Sequence, residues 1–257
     1  MADTGDNRIV LSHDGPVATI TLARPEKLNA LDKAMILALE RVAHLIDAES
    51  TIKVAIITGQ GEKAFCAGGD IAAWSAEAPE DFGLQWVRIG HRAFDALTRL
   101  RVPLIAALNG SAMGGGFELA TCADFRIAAE QAKFSLPETG LGIIPGWSGT
   151  QRSVQRFGSQ IIRRMSLAGE VLDAPTALRL GLCDVVVQKG QTLVAACEMA
   201  ATIIRRSSLA TAAAKMMINA AEDEDTPRAL EAMSGIAAAH SAELKVGLAA
   251  FTAKKKN

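Results

Sequence analysis

The alternation of apolar and polar positions in the first half of the chain predicts strands that alternate with helices. Residues 17–22 alternate and are β-branched, which is typical of a strand. After Asp32, apolar residues three and four apart predict an amphipathic helix that ends near Ala48. Residues 54–57 and 103–108 are continuously apolar, which favours strands buried on both faces. Strands joined through helices imply right-handed crossovers and an α/β fold.

In the second half of the chain, the pattern predicts mostly helices. Helices are expected to open near Asp70, over 80–100 and near Phe117, with a strand at 124–127. From about residue 159 the pattern is helical, apart from a short strand at 185–187. Many alanines and methionines toward the C-terminal end suit close packing between helices or subunits. We therefore expect a core over residues 1–195 and a helical oligomerisation region over 196–257.

Size and charge exclude several classes of protein. The chain has 257 residues, of which 49% are hydrophobic and 21% charged, as in a globular protein with one main domain. A net charge of −1 and the absence of tyrosine argue against a nucleic-acid partner or an anionic membrane surface. No apolar run is long enough to cross a bilayer as a helix, so we expect no membrane span. The N-terminal sequence lacks a secretory or transit pattern, and we expect a cytoplasmic location.

The cysteines and histidines do not form a metal-binding or redox pattern. Cys66, Cys122, Cys183 and Cys197 contain no CxxC pair. The four histidines are scattered along the sequence. We therefore expect free thiols, with Cys66 as a packed residue rather than a nucleophile, and no metal or redox cofactor.

Two glycine-rich turns and two glutamates carry the candidate chemistry. Gly114, Gly115 and Gly116 stand between a predicted strand and a predicted helix and precede Glu118, with Glu138 further along the chain. Glycines let the backbone approach a ligand, and free N–H groups at such a turn suit an oxyanion on a carbonyl. Two carboxylates nearby could handle protons or a water molecule. The alternatives without catalysis are that the glycines form only a tight turn and that the carboxylate of Glu118 only caps a helix.

A second turn of this kind runs from Lys63 to Ile71 and contains Gly68 and Gly69. It also follows an apolar strand and precedes a helix. Two such loops could each donate one backbone N–H to the same carbonyl oxygen. Asp70 stands where a helix N-cap is expected.

With these turns, the chain resembles the crotonase superfamily, the enoyl-CoA hydratase/isomerase group. Five segments carry the resemblance, in family order and spacing: residues 24–31, 64–71, 109–119, 134–138 and 140–152. The resemblance implies a crotonase-like spiral of repeated ββα turns, followed by a helical C-terminal region. The C-terminal third matches in helical character rather than in motif.

The resemblance also implies roles for individual residues. Ala67 and Gly115 would supply the two oxyanion-hole N–H groups that hold an acyl-CoA thioester oxygen. Glu118 would act chiefly as the base for the attack of water on C3, and Glu138 would exchange the proton at C2.

The CoA-binding residues implied by the family are spread over several segments. They are Lys27, Leu28, Ala67, Gly69, Asp70, Ile71, Gly114 and Gly115, and Trp147 is a further candidate for substrate contact. A neighbouring subunit's C-terminal Phe251 and Lys254 are further candidates for CoA contact, although the acidic signature that usually precedes them is replaced here.

Trp147 departs from the family, whose common hydratases resemble Pro-Gly-Ala-Gly-Gly where this chain has Pro-Gly-Trp-Ser-Gly at 145–149. The indole either reshapes the acyl pocket or packs outside it. Trp74 and Trp86 lie in a variable segment that often shapes the acyl end. Acyl length is therefore the part of the function that the sequence leaves open.

The resemblance implies an enoyl-CoA hydratase that reversibly adds water, syn, across the 2,3 double bond of a trans-2-enoyl-CoA to give a 3-hydroxyacyl-CoA. CoA would enter with the substrate, and the enzyme would be a homotrimer or homohexamer. An enoyl-CoA isomerase, another acyl-CoA lyase or hydrolase of this fold, and a non-catalytic acyl-CoA-binding protein are the alternatives. Two glutamates favour the hydratase, because an isomerase needs only one base.

Overall fold

The computed structural model describes residues 3–75, 78–239 and the single positions 242, 244 and 246. Within these residues, strands form a six-stranded sheet in the order β1-β2-β3-β5-β7-β10 and a four-stranded sheet in the order β4-β6-β8-β9. The strands are β1 Ile9–Asp14, β2 Val17–Leu22, β3 Val54–Gly59, β4 Ala64–Cys66, β5 Leu104–Leu108, β6 Ser111–Met113, β7 Phe125–Ala129, β8 Lys133–Ser135, β9 Leu172–Asp173 and β10 Val185–Val187.

Helices, single or in succession, follow the strands along the chain. They are α1 Lys33–Ala48, α2 Ile71–Trp74, α3 Pro79–Asp81, α4 Arg88–Thr98, α5 Gly115–Thr121, α6 Gln151–Phe157, α7 Ser159–Leu167, α8 Ala174–Arg179, α9 Thr192–Ile204, α10 Ser208–Ala221 and α11 Thr226–Ala239. A π-helical segment, Phe82–Val87, joins α3 to α4.

The two sheets are built by a repeated turn of the chain. In each of the pairs β3/β4, β5/β6 and β7/β8, the first strand joins the larger sheet and the second joins the smaller one. All strand pairs are parallel except β1/β2 and β8/β9. The predicted α/β spiral of ββα turns is therefore confirmed.

The predicted amphipathic helix is α1. Asp32 caps it by accepting a hydrogen bond from the Met35 N–H, which satisfies one of the free donors of the first turn. Its apolar face, including Leu39 and Val42, is fully buried. The same face packs against α4.

The continuously apolar strands are buried on both faces, as predicted. On one face, Ile56 of β3 and Ile105 of β5 pack against Ala196 and Ala200 of α9. The residues that alternate with these along the strands, such as Ile57, point to the other face and belong to the main core. The burial of both faces explains why these strands lack polar alternation.

Some elements differ from the predictions. The helix expected over 80–100 is divided into α3, the π-helical segment and α4. Short strands β4 and β9 were not predicted, because three and two residues give too little pattern. Strand β1 also was not predicted; its last three residues are exposed.

The chain divides into two compact units, residues 1–212 and 213–257. The first contains both sheets and helices α1 to α9. The boundary falls within α10. In the described part of the chain, no helix combines the length and apolar character needed to cross a membrane.

Candidate active site

Two glutamates lie on one small pocket of the first unit. Glu118 belongs to the first turn of α5, and Glu138 begins a 3₁₀ turn, Glu138–Leu141, that follows β8. The two residues are 2% and 8% exposed. Both line a pocket of about 50 Å³. A water molecule needs about 10–15 Å³ of such space, so the pocket has room for a reactant beside the carboxylates.

The loop at 145–149 holds Glu118. Its carboxylate oxygen Oε1 accepts hydrogen bonds from the backbone N–H groups of Trp147 and Gly149, both at 2.7 Å. A Cβ added at Gly149 would lie only 2.6 Å from the same oxygen. The glycine therefore allows the backbone to approach the carboxylate, and the two donors favour its ionised form.

Glu138 has a different environment. Its Oε1 lies so near Gly114 that an added Cβ at Gly114 would come within 2.7 Å of it. Its Oε2 is buried and has no hydrogen-bond partner among the described residues. A carboxylate oxygen buried without a donor favours the protonated form of the acid.

Burial and mutual repulsion raise the pKa of the carboxyl groups. Desolvation raises the pKa of Glu118 to about 8, with a further contribution from the charge of Glu138 and opposition from the Trp147 and Gly149 N–H groups. Desolvation also raises the pKa of Glu138. Two groups that interact in this way titrate as a coupled pair. Glu118 accepts two backbone N–H donors from the loop at 145–149, and a backbone hydrogen bond within residue 138 opposes the rise in the pKa of Glu138.

The two glycine turns meet beside this pair. Gly68 has a φ of +98°, and an added Cβ would lie 3.1 Å from the Gly115 nitrogen. Gly115 is the first residue of α5, so its N–H lacks a partner within the helix. Gly69 and Gly115 both line the pocket with the glutamates. Two backbone segments can approach this closely only where neither carries a side chain.

The backbone contacts of Ala67 argue against the oxyanion role expected for it. Its N–H donates to the Leu28 carbonyl oxygen at 3.0 Å and is therefore occupied by the fold. Ala67 is also absent from the pocket lining, whereas Gly69 lines it. In the bridge between Leu31 and Gly69, the N–H of Leu31 bonds to Gly68 and that of Asp70 bonds to Leu31. The N–H of Gly69 takes no part in that bridge.

The structure separates several of the other expected substrate-binding residues from the carboxylates. Asp70 caps α2 and forms an ion pair with Arg24 at 2.8 Å. Ile71 is half exposed on α2. Lys27 ends an exposed 3₁₀ turn, and Leu28 follows it in the left-handed conformation with a φ of 53°. None of these four residues lines the pocket that contains the glutamates.

Trp147 lines the same pocket as the two glutamates. The residue is 3% exposed, and its ring packs against Trp86 and Phe94, with centroids 5.4 Å and 5.2 Å away. Trp74 and Trp86 line the same pocket. Their place in the variable segment was the only sequence signal for this apolar wall.

Other lining residues were not found by sequence reasoning. They are Phe82, Val87, Ile143, Ile144 and Gly146. Helical or loop periodicity gave no sign of these contacts, because they come from segments that are far apart in the sequence. The contact of His91 with Ser148 was missed for the same reason: His91 Nδ1 lies 2.9 Å from Ser148 Oγ.

The cysteines offer no nucleophile for this pocket. Cys66 is buried, and desolvation raises the pKa of its thiol to about 12. In the ranges that the structure describes, no group of three or more His, Cys, Asp or Glu side chains is arranged to bind a metal ion. Phe251 and Lys254 lie outside the described residues.

Comparisons with known proteins find relatives that match nearly the whole chain. The enoyl-CoA hydratase/isomerase family matches residues 12–257. A crotonyl-CoA hydratase of Syntrophomonas wolfei is 36% identical over 96% of both chains. A short-chain-enoyl-CoA hydratase of Clostridium acetobutylicum is 35% identical, covering 97% of this chain and 96% of the other. The crystal structure of an enoyl-CoA hydratase from Bacillus anthracis superposes with a TM-score of 0.82 and 33% identity, covering 96% of this chain and 97% of the other.

The coupling of the two carboxyls is testable. We expect Glu138→Gln to lower the pKa of Glu118 below about 8, because a neighbouring negative charge is lost while burial continues to hold it above its ordinary value. Carboxyl carbon shifts in protein labelled with ¹³C-glutamate measure this, with Glu118→Gln assigning the resonance. Glu62→Gln removes an exposed carboxyl outside the pocket and serves as the control. An unchanged Glu118 titration in Glu138→Gln would show that the carboxyls do not interact.

Proposed function

Because the chain belongs to the enoyl-CoA hydratase/isomerase family, we propose that it reversibly hydrates trans-2-enoyl-CoA thioesters to 3-hydroxyacyl-CoA. The observation that carries this proposal is the pair of buried glutamates on one pocket, beside two converging glycine turns. The activities named for its hydratase relatives support the same reaction.

The acid–base roles follow from the two environments. Glu118, whose charge is favoured by two N–H donors, removes a proton from water as the oxygen forms its bond to C3. The electron pair of the double bond moves toward the thioester carbonyl, and C2 then takes a proton from Glu138. Transfer of the proton from Glu118 to Glu138 then returns the pair to its starting state, so water is added without a net change in the enzyme. Such acid–base help is worth about 10²–10⁴-fold in rate.

The developing negative charge on the thioester oxygen needs donors. We propose that these are the backbone N–H groups of Gly69 and Gly115, in place of the expected pair of Ala67 and Gly115. Support comes from the occupied N–H of Ala67 and from the shared pocket of Gly69 and Gly115. An oxyanion donor typically contributes about 10²–10³ in kcat.

CoA is part of the substrate in this proposal, and neither the acid–base roles nor the oxyanion requires another cofactor. Lys27, Leu28, Asp70 and Ile71 remain proposed contacts for the CoA moiety, outside the carboxylate pocket. The cytoplasmic location also remains a proposal.

An enoyl-CoA isomerase is the second candidate, since the family includes both activities. Isomerisation moves one proton between carbons and needs a single base. The paired carboxyls with different partners favour hydration, which needs a base and an acid at once. A 3-enoyl-CoA substrate offered in place of the 2-enoyl compound discriminates between the two.

The first kinetic prediction concerns the glutamates. We expect Glu118→Gln and Glu138→Gln each to lower kcat for hydration at least ~100-fold, because acid–base transfer is lost while the shape of the pocket is kept. The two losses should not add, since both groups act on one addition. Loss of absorbance at the conjugated thioester measures the rate, and calorimetry with a saturated acyl-CoA measures binding. Turnover like that of the wild type in either variant would contradict the proposed hydratase activity.

The second kinetic prediction concerns the glycine turn. A Cβ at Gly68 would lie 2.9 Å from the Met113 carbonyl oxygen and 3.1 Å from the Gly115 nitrogen. We therefore expect Gly68→Ala to separate the two donor segments and to lower kcat about 10²-fold. Gly158→Ala is the matched control, because Gly158 also has a positive φ, of +86°, but an added Cβ meets nothing within 4 Å. Equal losses of kcat in both variants would refute this view of the turn.

We also propose a homotrimeric or homohexameric assembly that uses the C-terminal helices. Met217, Ile218 and Leu230 on α10 and α11 are 56%, 60% and 61% exposed in the single chain. Large exposed apolar side chains that cluster usually mark an interface, and closed cyclic symmetry is the usual way to cover one.

The assembly prediction is a solution mass that is a multiple of three subunits, measured by light scattering. We expect Ile218→Glu to reduce the mass, because it places a charge on the apolar surface. Gln188→Glu, at an exposed position in the turn before α9, is the control. A monodisperse active monomer at micromolar concentration would contradict the assembly and leave the catalytic proposal intact.

A further inference from the structure

Part of the wall of the pocket is aromatic. Trp74, Phe82, Trp86 and Trp147 all line it. Trp74 packs on Phe82, with centroids 5.1 Å apart, and Trp86 packs on Trp147. If C3 of a substrate lies beside Glu118, the carbons beyond C3 meet this wall.

Two glycines leave the space that the Trp147 indole occupies. A Cβ added at Gly90 of α4 would lie 2.1 Å from the indole nitrogen. A Cβ added at Gly115 would lie 2.5 Å from Cζ3 at the other end of the ring. The indole therefore spans the space between α4 and the start of α5, and it fits only because both positions lack a side chain.

The loop that carries Trp147 is fixed to α4 at successive points. Next to the Gly90 contact, His91 bonds to Ser148 at 2.9 Å. One turn further along α4, Asp95 accepts a hydrogen bond from Arg152 Nη2 at 2.7 Å. The position of the indole is therefore set by the packing of the loop on the helix and not by the side chain alone.

Burial of the Trp147 indole carries an energetic cost. Its Nε1 is buried and has no hydrogen-bond partner in the part of the chain that the structure describes. Gly90 faces this nitrogen without a side chain that could accept from it. A buried unsatisfied donor calls for an explanation, and the shape of the acyl pocket supplies one.

The remaining space is small. The pocket holds about 50 Å³, which at about 10–15 Å³ for a water-sized group corresponds to about three to five such groups. That is enough for the reacting carbons of a short enoyl group and a water. The indole, packed on Trp86 and Phe94, occupies the space between α4 and the start of α5 that a longer chain would otherwise need.

We propose that Trp147, seated on Gly90, closes the acyl pocket and restricts it to short acyl groups of about four carbons. This inference rests on the proposed function for the identity of the thioester. Each methylene in an apolar pocket typically changes kcat/KM about 10–200-fold, so a wall at this depth gives strong selection by chain length.

The test compares kcat/KM for crotonyl-CoA and trans-2-decenoyl-CoA in the wild type and in matched variants. Wild-type enzyme should favour crotonyl-CoA at least ~100-fold. Trp147→Ala keeps the backbone N–H that binds Glu118, and it should raise the decenoyl-to-crotonyl ratio at least ~10-fold. Phe157→Leu changes an aromatic side chain that packs on Phe117, outside the pocket lining, and should leave the ratio unchanged.

Gly90→Ala provides a second, independent readout. The added methyl group overlaps the indole, so this variant should lower kcat/KM for crotonyl-CoA about 10-fold or more. In the double variant with Trp147→Ala the overlap is gone, and its ratio should match that of Trp147→Ala alone. A structural defect at Gly90 unrelated to the indole would persist in the double variant and would contradict the proposal.

Binding separates this inference from the proposed reaction. Calorimetry with butyryl-CoA and decanoyl-CoA measures chain-length selection without turnover, and Trp147→Ala should strengthen decanoyl binding relative to butyryl binding. Length-selective binding without hydration of either enoyl thioester would overturn the proposed function alone. Equal use of both chain lengths by the wild type, or an unchanged ratio in Trp147→Ala, would overturn the role of the indole.

Discussion

The structure depends on keeping two carboxyl groups out of water beside one another. Burying an ionised carboxylate is costly unless hydrogen bonds stabilise its charge. Here the Trp147 and Gly149 N–H groups supply those bonds to Glu118, while Glu138 keeps an oxygen without a donor among the described residues. This asymmetry is what allows the repulsive pair to act as the proposed acid and base. The loop at 145–149 is therefore as much a part of the site as the glutamates.

Glycines provide the space that this arrangement needs. Gly149 lets the loop approach Glu118, and Gly114 lets its turn approach Glu138. Gly68 allows two backbone segments to meet beside Gly115. Added methyl groups at these positions would meet carboxylate oxygens or backbone atoms within about 3 Å, distances at which packed atoms repel. Conformational freedom at Gly68 and Gly114, where φ is positive, adds to this steric role.

The sequence predicted those features that local pattern determines. The capped helix after Asp32, the buried strands, both glycine turns and the two glutamates were all visible in short segments. The N–H of Ala67 bonds to Leu28, which belongs to a separate segment of the chain, and no local pattern reveals that bond. The seat of Trp147 depends on Gly90, which lies on a different element, α4. Contacts of this kind are set by tertiary packing, so the division of the 80–100 helix and the lining of the pocket could not be predicted.

One residue links the chemistry of the site to its shape. The backbone of Trp147 holds the carboxylate of Glu118, while its side chain fills the space toward α4. The hydrogen bond to Glu118 comes from the backbone N–H of residue 147 and does not depend on the side chain. Residues of other sizes at this position can therefore change the shape of the pocket and keep this N–H donor. Ser148, at a φ of +75°, and its bond to His91 keep the loop in place independently of the indole. Acyl selection can therefore vary at this position while the acid–base pair is preserved, which is how one fold can serve thioesters of different length.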